Sequence, residues 1–171
     1  TRYVYPELGR NSSSTIHFND GSNESDSWLK KVFSGMDGEK ITVKGKGNGL
    51  EMWTDVTIEV PAGSILEVRH GVGEISAGGV EADLNLDTHS GPITVDRLKG
   101  DLLADTGSGR VAAMNVEGEV NIDTGSGGVE VEMVDCKYML IDTGSGSVQA
   151  RGIRADSARI DTGSRMDDMI Y

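Results

Sequence analysis

The sequence predicts an all-β fold, a single-stranded β-solenoid (β-helix) of about six coils of 18–19 residues each. The first observation behind this prediction is a repeated motif, Asp-Thr-Gly-Ser-Gly, whose first and last copies are degenerate. Its aspartates stand 18, 18, 19 and 19 residues apart, and a fixed period near twenty residues is typical of repeat architectures. These aspartates are Asp87, Asp105, Asp123, Asp142 and Asp161.

Apolar residues at alternate positions on both sides of the motif are the second observation. Val120 and Ile122 precede one copy, and Val129 and Val131 follow it. Short runs with a period of two indicate half-buried β-strands. Such runs bury an apolar face only when they stack on neighbours, so each repeat is expected to form one coil with a rise of about 4.8 Å, the spacing between strands. The regular coils are expected over residues 66–164.

The residue types of the motif are typical of a turn, as expected at the corner of a coil. An Asp side chain can accept backbone N–H groups in an Asx-turn, and glycines permit positive φ. We therefore predict that the five aspartates are structural corner residues, stacked in a column. The alternative to a purely structural role is that the aspartate column binds a divalent cation. The nine-residue period of calcium-binding β-rolls is absent, however. His70 and His89, near one corner on adjacent coils, form another candidate site with Asp87.

Asp-Thr-Gly-Ser also surrounds the catalytic aspartate of pepsin-like and retroviral proteases. That mechanism needs two such carboxylates that face each other and share a proton, one from each lobe. Copies 18–19 residues apart leave no room for a lobe between them. A polysaccharide-active enzyme is the remaining enzymatic alternative, but the repeats carry only two aromatic residues, Tyr138 and Tyr171. We predict no catalytic residue, no metal site and no cofactor, and hence no enzyme.

Composition excludes further classes of function. The net charge of −12 argues against nucleic-acid binding, which requires a basic surface. No apolar run approaches the roughly 18 residues of a membrane span. A single cysteine, Cys136, cannot form an intrachain disulfide. It takes the place of Gly100 and Gly118 in earlier repeats, which favours a small, partly buried residue over a reactive thiol.

The N-terminal part of the chain lacks the repeat. We expect an irregular capping or contact segment over residues 1–39 and the solenoid domain over 40–171. Within the segment, Ile16–Phe18 could form a strand, and a short helix is favoured over residues 28–34. This helix would pack over the open end of the solenoid or contact a membrane or a partner. The candidate contact residues are Tyr3, Tyr5, Trp28 and Phe33.

The sequence also gives expectations for the two ends of the chain. A start at Thr1 rather than Met fits a removed signal peptide or a missing N-terminal anchor, and the sequence does not choose between them. The repeat decays after residue 164, so residues 166–171 are expected to cap the last coil or to continue into a longer chain.

From Val-Thr-Ile-Glu-Val-Pro-Ala-Gly (56–63) through the serial Asp-Thr-Gly-Ser coils, the chain resembles a bacterial family of β-strand-repeat proteins of unknown function that are commonly labelled adhesins. The resemblance covers residues 56–164. It implies an exported, extracytoplasmic β-solenoid of the periplasm or cell surface, often anchored. The adhesin label is itself an inference for most members.

These observations together predict a non-catalytic envelope protein that acts as a structural or interaction module with a protein partner. One hypothesis is an adhesin-like module that binds an external ligand. The alternative is an accessory subunit docked on a larger membrane complex through its N-terminal segment.

Overall fold

The computed structural model describes residues 2–5, 12–17, 40–51, 53–163 and 166–170, and every structural statement below concerns these residues. The chain divides into two compact units, Thr1–Val56 and Thr57–Tyr171.

The first unit contains a four-stranded sheet. Its strands are β1 (Arg2–Val4), β2 (Ser13–His17), β3 (Lys40–Lys44) and β4 (Leu50–Glu51), in the order β2-β3-β1-β4. β3 runs antiparallel to β2, and β1 runs parallel to β3 and β4. Residues 40–51, which the sequence pattern placed with the solenoid, therefore pair with N-terminal strands. The predicted helix over residues 28–34 lies outside the described residues.

The second unit is the predicted β-solenoid, which is confirmed with six coils. Every pairing in it is parallel and joins residues 18 or 19 apart, and in the pairing of the final strand the separation changes from 18 to 19 at a bulge between Val148 and Gln149. Its strands are β5 (Ser64–Val72), β6 (Ile75–Val80), β7 (Ala82–Ser90), β8 (Ile93–Lys99), β9 (Leu102–Ser108), β10 (Val111–Glu117), β11 (Val120–Ser126), β12 (Val129–Ser145), β13 (Val148–Thr162) and β14 (Met166–Ile170).

Each coil has two sides. The motif strands carry the Asp-Thr-Gly-Ser sequence or, in the first two coils, the residues that stand in its place. They are β5, β7, β9, β11, and the second halves of β12 and β13. The return strands are β6, β8, β10, the first halves of β12 and β13, and β14. Inward-facing residues of both sides fill one continuous core, as stacking of the apolar columns requires. In the second coil these residues are Leu84, Leu86, Thr88, Ile93, Val95 and Leu98.

The return strands break the period of two at one residue per coil. Val95 and Leu98 both point inward although they are three residues apart, because Arg97 between them adopts a φ of 55°. This left-handed residue shifts the alternation by one position, and because neighbouring strands share it they stay in register. The same backbone recurs in the first five coils, at Gly79, Arg97, Asn115, Met133 and Gly152.

At the corner that ends each motif, successive coils touch backbone to backbone. A Cβ added to Gly127 would lie 1.9 Å from the carbonyl oxygen of Gly109 in the preceding coil, and one added to Gly146 would lie 1.9 Å from that of Gly127. Glycine is required at this position because no side chain fits between the stacked coils. The last glycine of the motif therefore sets the close approach of neighbouring coils.

The 19-residue coils gain their extra residue at the opposite corner. Glu117 pairs with Asp135, whereas Val120 pairs with Met139, so the additional residue lies between these pairs. In the shorter coils this corner is formed by Gly100 and Gly118, whose φ angles are 141° and 150°. The longer corner lets β12 continue as a strand through Cys136, and it brings Tyr138 onto the outer surface of the motif strands.

We predict that Gly127→Ala destabilises the solenoid by about 2 kcal/mol or more, because its Cβ would collide with the Gly109 carbonyl. Urea denaturation followed by circular dichroism measures the change. The neighbouring Gly128→Ala is the matched control, since its Cβ would meet Ser147 at an ordinary 3.5 Å. Its cost should stay within about 0.5 kcal/mol. Equal costs for the two variants would contradict the stacking account.

Candidate functional site

The structure places the five motif aspartates inside strands, whereas the sequence pattern predicted them at corners. Asp123 stands between the buried Ile122 and Thr124, and its side chain faces outward. The bend follows at residues 127–128, beyond the end of the strand. The aspartates do form the predicted column, because Asp87, Asp105, Asp123, Asp142 and Asp161 pair in register.

The hydrogen bond that ties this part of the motif to its neighbour comes from threonine. Thr124 is fully buried, and its hydroxyl donates to the Gly109 carbonyl oxygen at 3.3 Å. Thr106, Thr143 and Thr162 make the equivalent bond to the glycine of the preceding coil. The threonine of the motif therefore links each coil to the one before it.

Thr88 is the exception in this column. Among the buried side-chain nitrogen and oxygen atoms of the described residues, the Thr88 hydroxyl oxygen is the one without a hydrogen-bond partner. By the repeat spacing its acceptor would be the carbonyl oxygen of Gly73. That carbonyl does occupy the corner, since a Cβ added to Gly91 would lie 1.9 Å from it, yet the Thr88 hydroxyl does not bond to it.

At the corner between each return strand and the next motif strand, carboxylates accept hydrogen bonds from backbone N–H groups. The sequence pattern did not single out these carboxylates. The Asp101 N–H donates to Asp83 Oδ1 at 2.9 Å, and the Glu119 N–H donates to Asp101 Oδ1 at 2.8 Å. Each acid therefore caps the backbone of the next coil, as an Asx-type bond does within a turn. The signal in the sequence was the recurring Gly-Asp or Gly-Glu pair at 100–101 and 118–119.

The aspartate column concentrates negative charge on the motif strands. The pKa of the Asp105 carboxyl is raised, first by partial burial and then by the charges of Asp87 and Asp123 on the adjacent coils. At the first-coil end of the column, Arg69 pairs in register with Asp87, and its guanidinium lies 2.5 Å from Glu67. An arginine therefore stands at that end of the column.

An apolar groove runs beside the aspartate column on the same face. We call the outward surface of the motif strands the motif face. Leu103 (41% exposed), Leu140 (40%) and Tyr138 (60%) lie along a groove of about 550 Å³, with Ile65 (80%) at the first coil. Ile65 and Tyr138 stand in one column of the repeat with Asp83, Asp101 and Glu119, on the side away from the aspartate column. The column of Leu103 and Leu140, here called the apolar strip, alternates with Asn85 and Asn121 and lies between that mixed column and the aspartates.

Sequence reasoning missed this groove, although a signal for it was present. Leu103 and Leu140 stand at positions where the other coils carry the polar residues Asn85, Asn121 and Arg159. The adjacent apolar pairs at 102–103 and 140–141 break the alternation of the repeat. An outward leucine in an alternating strand is the feature that could have found the groove.

The candidate histidine site is not assembled. His70 pairs with Thr88 at an inward position, and burial lowers the pKa of its imidazole. His89 is exposed on the motif face. Among the described residues, no three or more His, Cys, Asp or Glu side chains are grouped so that they could hold a metal ion.

Cys136 is partly buried at the longer corner. Burial raises the pKa of its thiol, and the charges of Asp135, Glu119 and Asp156 add to the effect. A raised pKa keeps the group in the weakly nucleophilic thiol form at neutral pH. This environment favours the small, partly buried residue over the reactive thiol.

The candidate N-terminal contact residues are only partly placed. Tyr3 lies in β1, and Tyr5 follows that strand with its side chain half-buried. Trp28 and Phe33 lie outside the described residues. Within the part of the chain that the structure describes, no helix is both long and apolar enough for a membrane span.

Comparison with protein families places the repeat in a known class. The family model described as Toastrack DUF4097 matches residues 13–166. The chain belongs to this family. The Toastrack match extends over both structural units and includes all six coils up to β14. Comparisons with curated proteins and with solved structures give no match.

We predict opposite effects for Thr→Val substitutions at two positions of the threonine column. Thr124→Val removes the bond to Gly109 and should lower stability by about 1 kcal/mol. Thr88→Val removes a buried hydroxyl without a partner and should leave stability unchanged or raise it by about 1 kcal/mol. Urea denaturation of both variants measures the difference, and equal losses would contradict the role of the hydroxyl.

We predict that Asp105→Asn stabilises the protein more at neutral pH than near the ordinary pKa of aspartate. The raised pKa means that the folded state holds the proton more tightly than the unfolded state. The contribution of this carboxyl to stability is therefore full below its ordinary pKa and falls as the pH rises through the raised value. Denaturation of wild type and variant at both pH values measures this, and a pH-independent difference would contradict it.

Proposed function

We propose that the protein is a non-catalytic interaction module of the bacterial cell envelope that binds another protein through the motif face. The observation that carries this proposal is the groove that Leu103, Leu140 and Tyr138 line beside the aspartate column, with Asp83, Asp101 and Glu119 also at its border. The family match adds a β-solenoid domain of unknown function, which is compatible with a binding role.

The apolar strip supports binding of a macromolecule. Leu103, Tyr138 and Leu140 are large side chains that remain exposed although the solenoid core lies directly behind them. Exposed large apolar side chains grouped with polar residues are typical of interaction sites, and tyrosine is enriched among the residues that dominate binding energy. The rigid stacked strands hold these groups in fixed positions.

The charge pattern specifies the chemistry of the partner. The aspartate column lies on one side of the strip, and Asp83, Asp101 and Glu119 lie on the other. The protein as a whole carries a net charge of −12. A partner surface with an apolar ridge flanked by lysine or arginine fits this arrangement, and the attraction would speed its encounter with the protein.

The repeat itself supports a non-catalytic role. The motif aspartates occupy equivalent outward positions in successive coils, one strand spacing apart. Acid–base catalysis by a carboxylate pair depends on two groups whose environments differ. Equivalent side chains in a column instead provide a uniform acidic surface.

Site-specific photocrosslinking in the source cells tests the proposal. A photoreactive residue at position 138 should give a crosslinked product with a partner protein. The same probe at the exposed Met133, on the return strands, is the matched control. We predict that Leu103→Asp combined with Leu140→Asp reduces the yield from position 138 at least about tenfold, as loss of central apolar contacts does.

The outcomes separate the hypotheses. A product at position 138 that disappears in the Leu103/Leu140 variant supports the motif face, and the partner's identity distinguishes an external ligand from a subunit of a membrane complex. Equal yields from positions 138 and 133, or no product from position 138, would overturn the proposal. A partner captured only through residues 1–39 would favour the alternative, an accessory subunit docked through its N-terminal segment.

A further inference from the structure

Among the described strands, each end of the solenoid has a motif strand with one unpaired edge. On the motif side, the first coil contributes β5, which pairs only with β7 among the described strands. In the last coil, residues 155–162 of β13 pair only with β12, because β14 pairs with the first half of β13. Each edge therefore presents backbone N–H and C=O groups to which a further parallel strand can bind.

The inward-facing residues at both edges are less covered than their counterparts in the middle. Leu66 and Val68 of the first coil are only partly buried, as is Ile160 of the last coil, and Ala158 is exposed. The equivalent residues of interior coils, such as Ile122 and Ile141, are fully buried. One more coil at either end would cover them in the same way.

The charged residues at the two edges are complementary. The last coil presents Arg159 and Asp161 outward, and the first coil presents Glu67 and Arg69 at the equivalent positions of the repeat. If the repeat continued by one coil, arginine would face glutamate, and aspartate would face arginine. Opposite charges directly across neighbouring strands stabilise a sheet.

We propose that a second copy of this chain stacks its first coil on the last coil, head to tail, and continues the parallel solenoid. In this register Arg159 faces Glu67 of the second copy, and Asp161 faces its Arg69. Ala158 and Ile160 cover Leu66 and Val68 of the second copy. The Arg69 guanidinium of the second copy then lies at the last-coil end of the aspartate column of the preceding copy.

The last coil is suited to this contact on both sides. β14 completes its return side, since Met166 pairs with Val148 one coil earlier. The first coil of the second copy also has both sides, β5 and β6. The contact is heterologous, because it joins two different surfaces of the chain, so it does not close into a symmetric dimer. Association should therefore produce a series of oligomers whose length grows with concentration.

Sedimentation velocity of the full chain over a range from low micromolar to submillimolar concentration tests the proposal. The wild type should show a weight-average mass that rises with concentration, and added salt should reduce this rise. Glu67→Arg and Arg159→Glu should each weaken self-association about tenfold, because each places like charges across the junction. Circular dichroism confirms that each variant is folded.

Charge exchange gives the decisive comparison. A mixture of the Glu67→Arg and Arg159→Glu chains should associate as the wild type does, since every junction between unlike chains again pairs opposite charges. Glu117→Arg and Lys137→Glu, at exposed positions of interior coils, are matched controls that should leave association unchanged. A monomer at all concentrations, or association that none of the end variants alters, would overturn the proposal.

Discussion

The close backbone contact at the end of each motif is the constraint on which the rest of the structure depends. Gly109, Gly127 and Gly146 each lie against the carbonyl of the coil before, at a distance that admits no side chain. This contact holds the coils in register at one strand spacing, and the buried threonine hydroxyls bond to the same glycine carbonyls. The apolar columns of the core form because the register repeats.

The same register has an electrostatic consequence. Any residue type repeated at one position of the coil becomes a column of like side chains about 4.8 Å apart. For valine and isoleucine this builds the core, but for aspartate it builds a row of charges. Partial burial raises the pKa of Asp105, and the charges of Asp87 and Asp123 in this row add to the effect. The repeat that stabilises the inside therefore makes the motif face strongly acidic.

Departures from the repeat provide the features available for recognition. Leu103 and Leu140 place apolar groups where other coils have polar ones, and the additional residue of the longer corner brings Tyr138 beside them. At the ends, Glu67 with Arg69 and Arg159 with Asp161 replace the uniform columns by charges of both signs. The uniform coils thus form the scaffold, and the exceptions give one face and two ends their own side-chain chemistry, on which the two proposals rest.

The sequence by itself determined the solenoid, its period, its core columns and the stacked aspartates, because a fixed repeat of alternating residues has one efficient way to bury its apolar faces. It did not determine which residues make the corners. Aspartate favours turns locally, yet the motif aspartates lie in strands, and Asp83 and Asp101 cap the backbone instead. The left-handed residue at Arg97, the pairing of residues 40–51 with N-terminal strands and the arrangement of Leu103, Leu140 and Tyr138 along one groove were decided by tertiary structure. Each depends on contacts between residues far apart in the chain, which local preference does not encode.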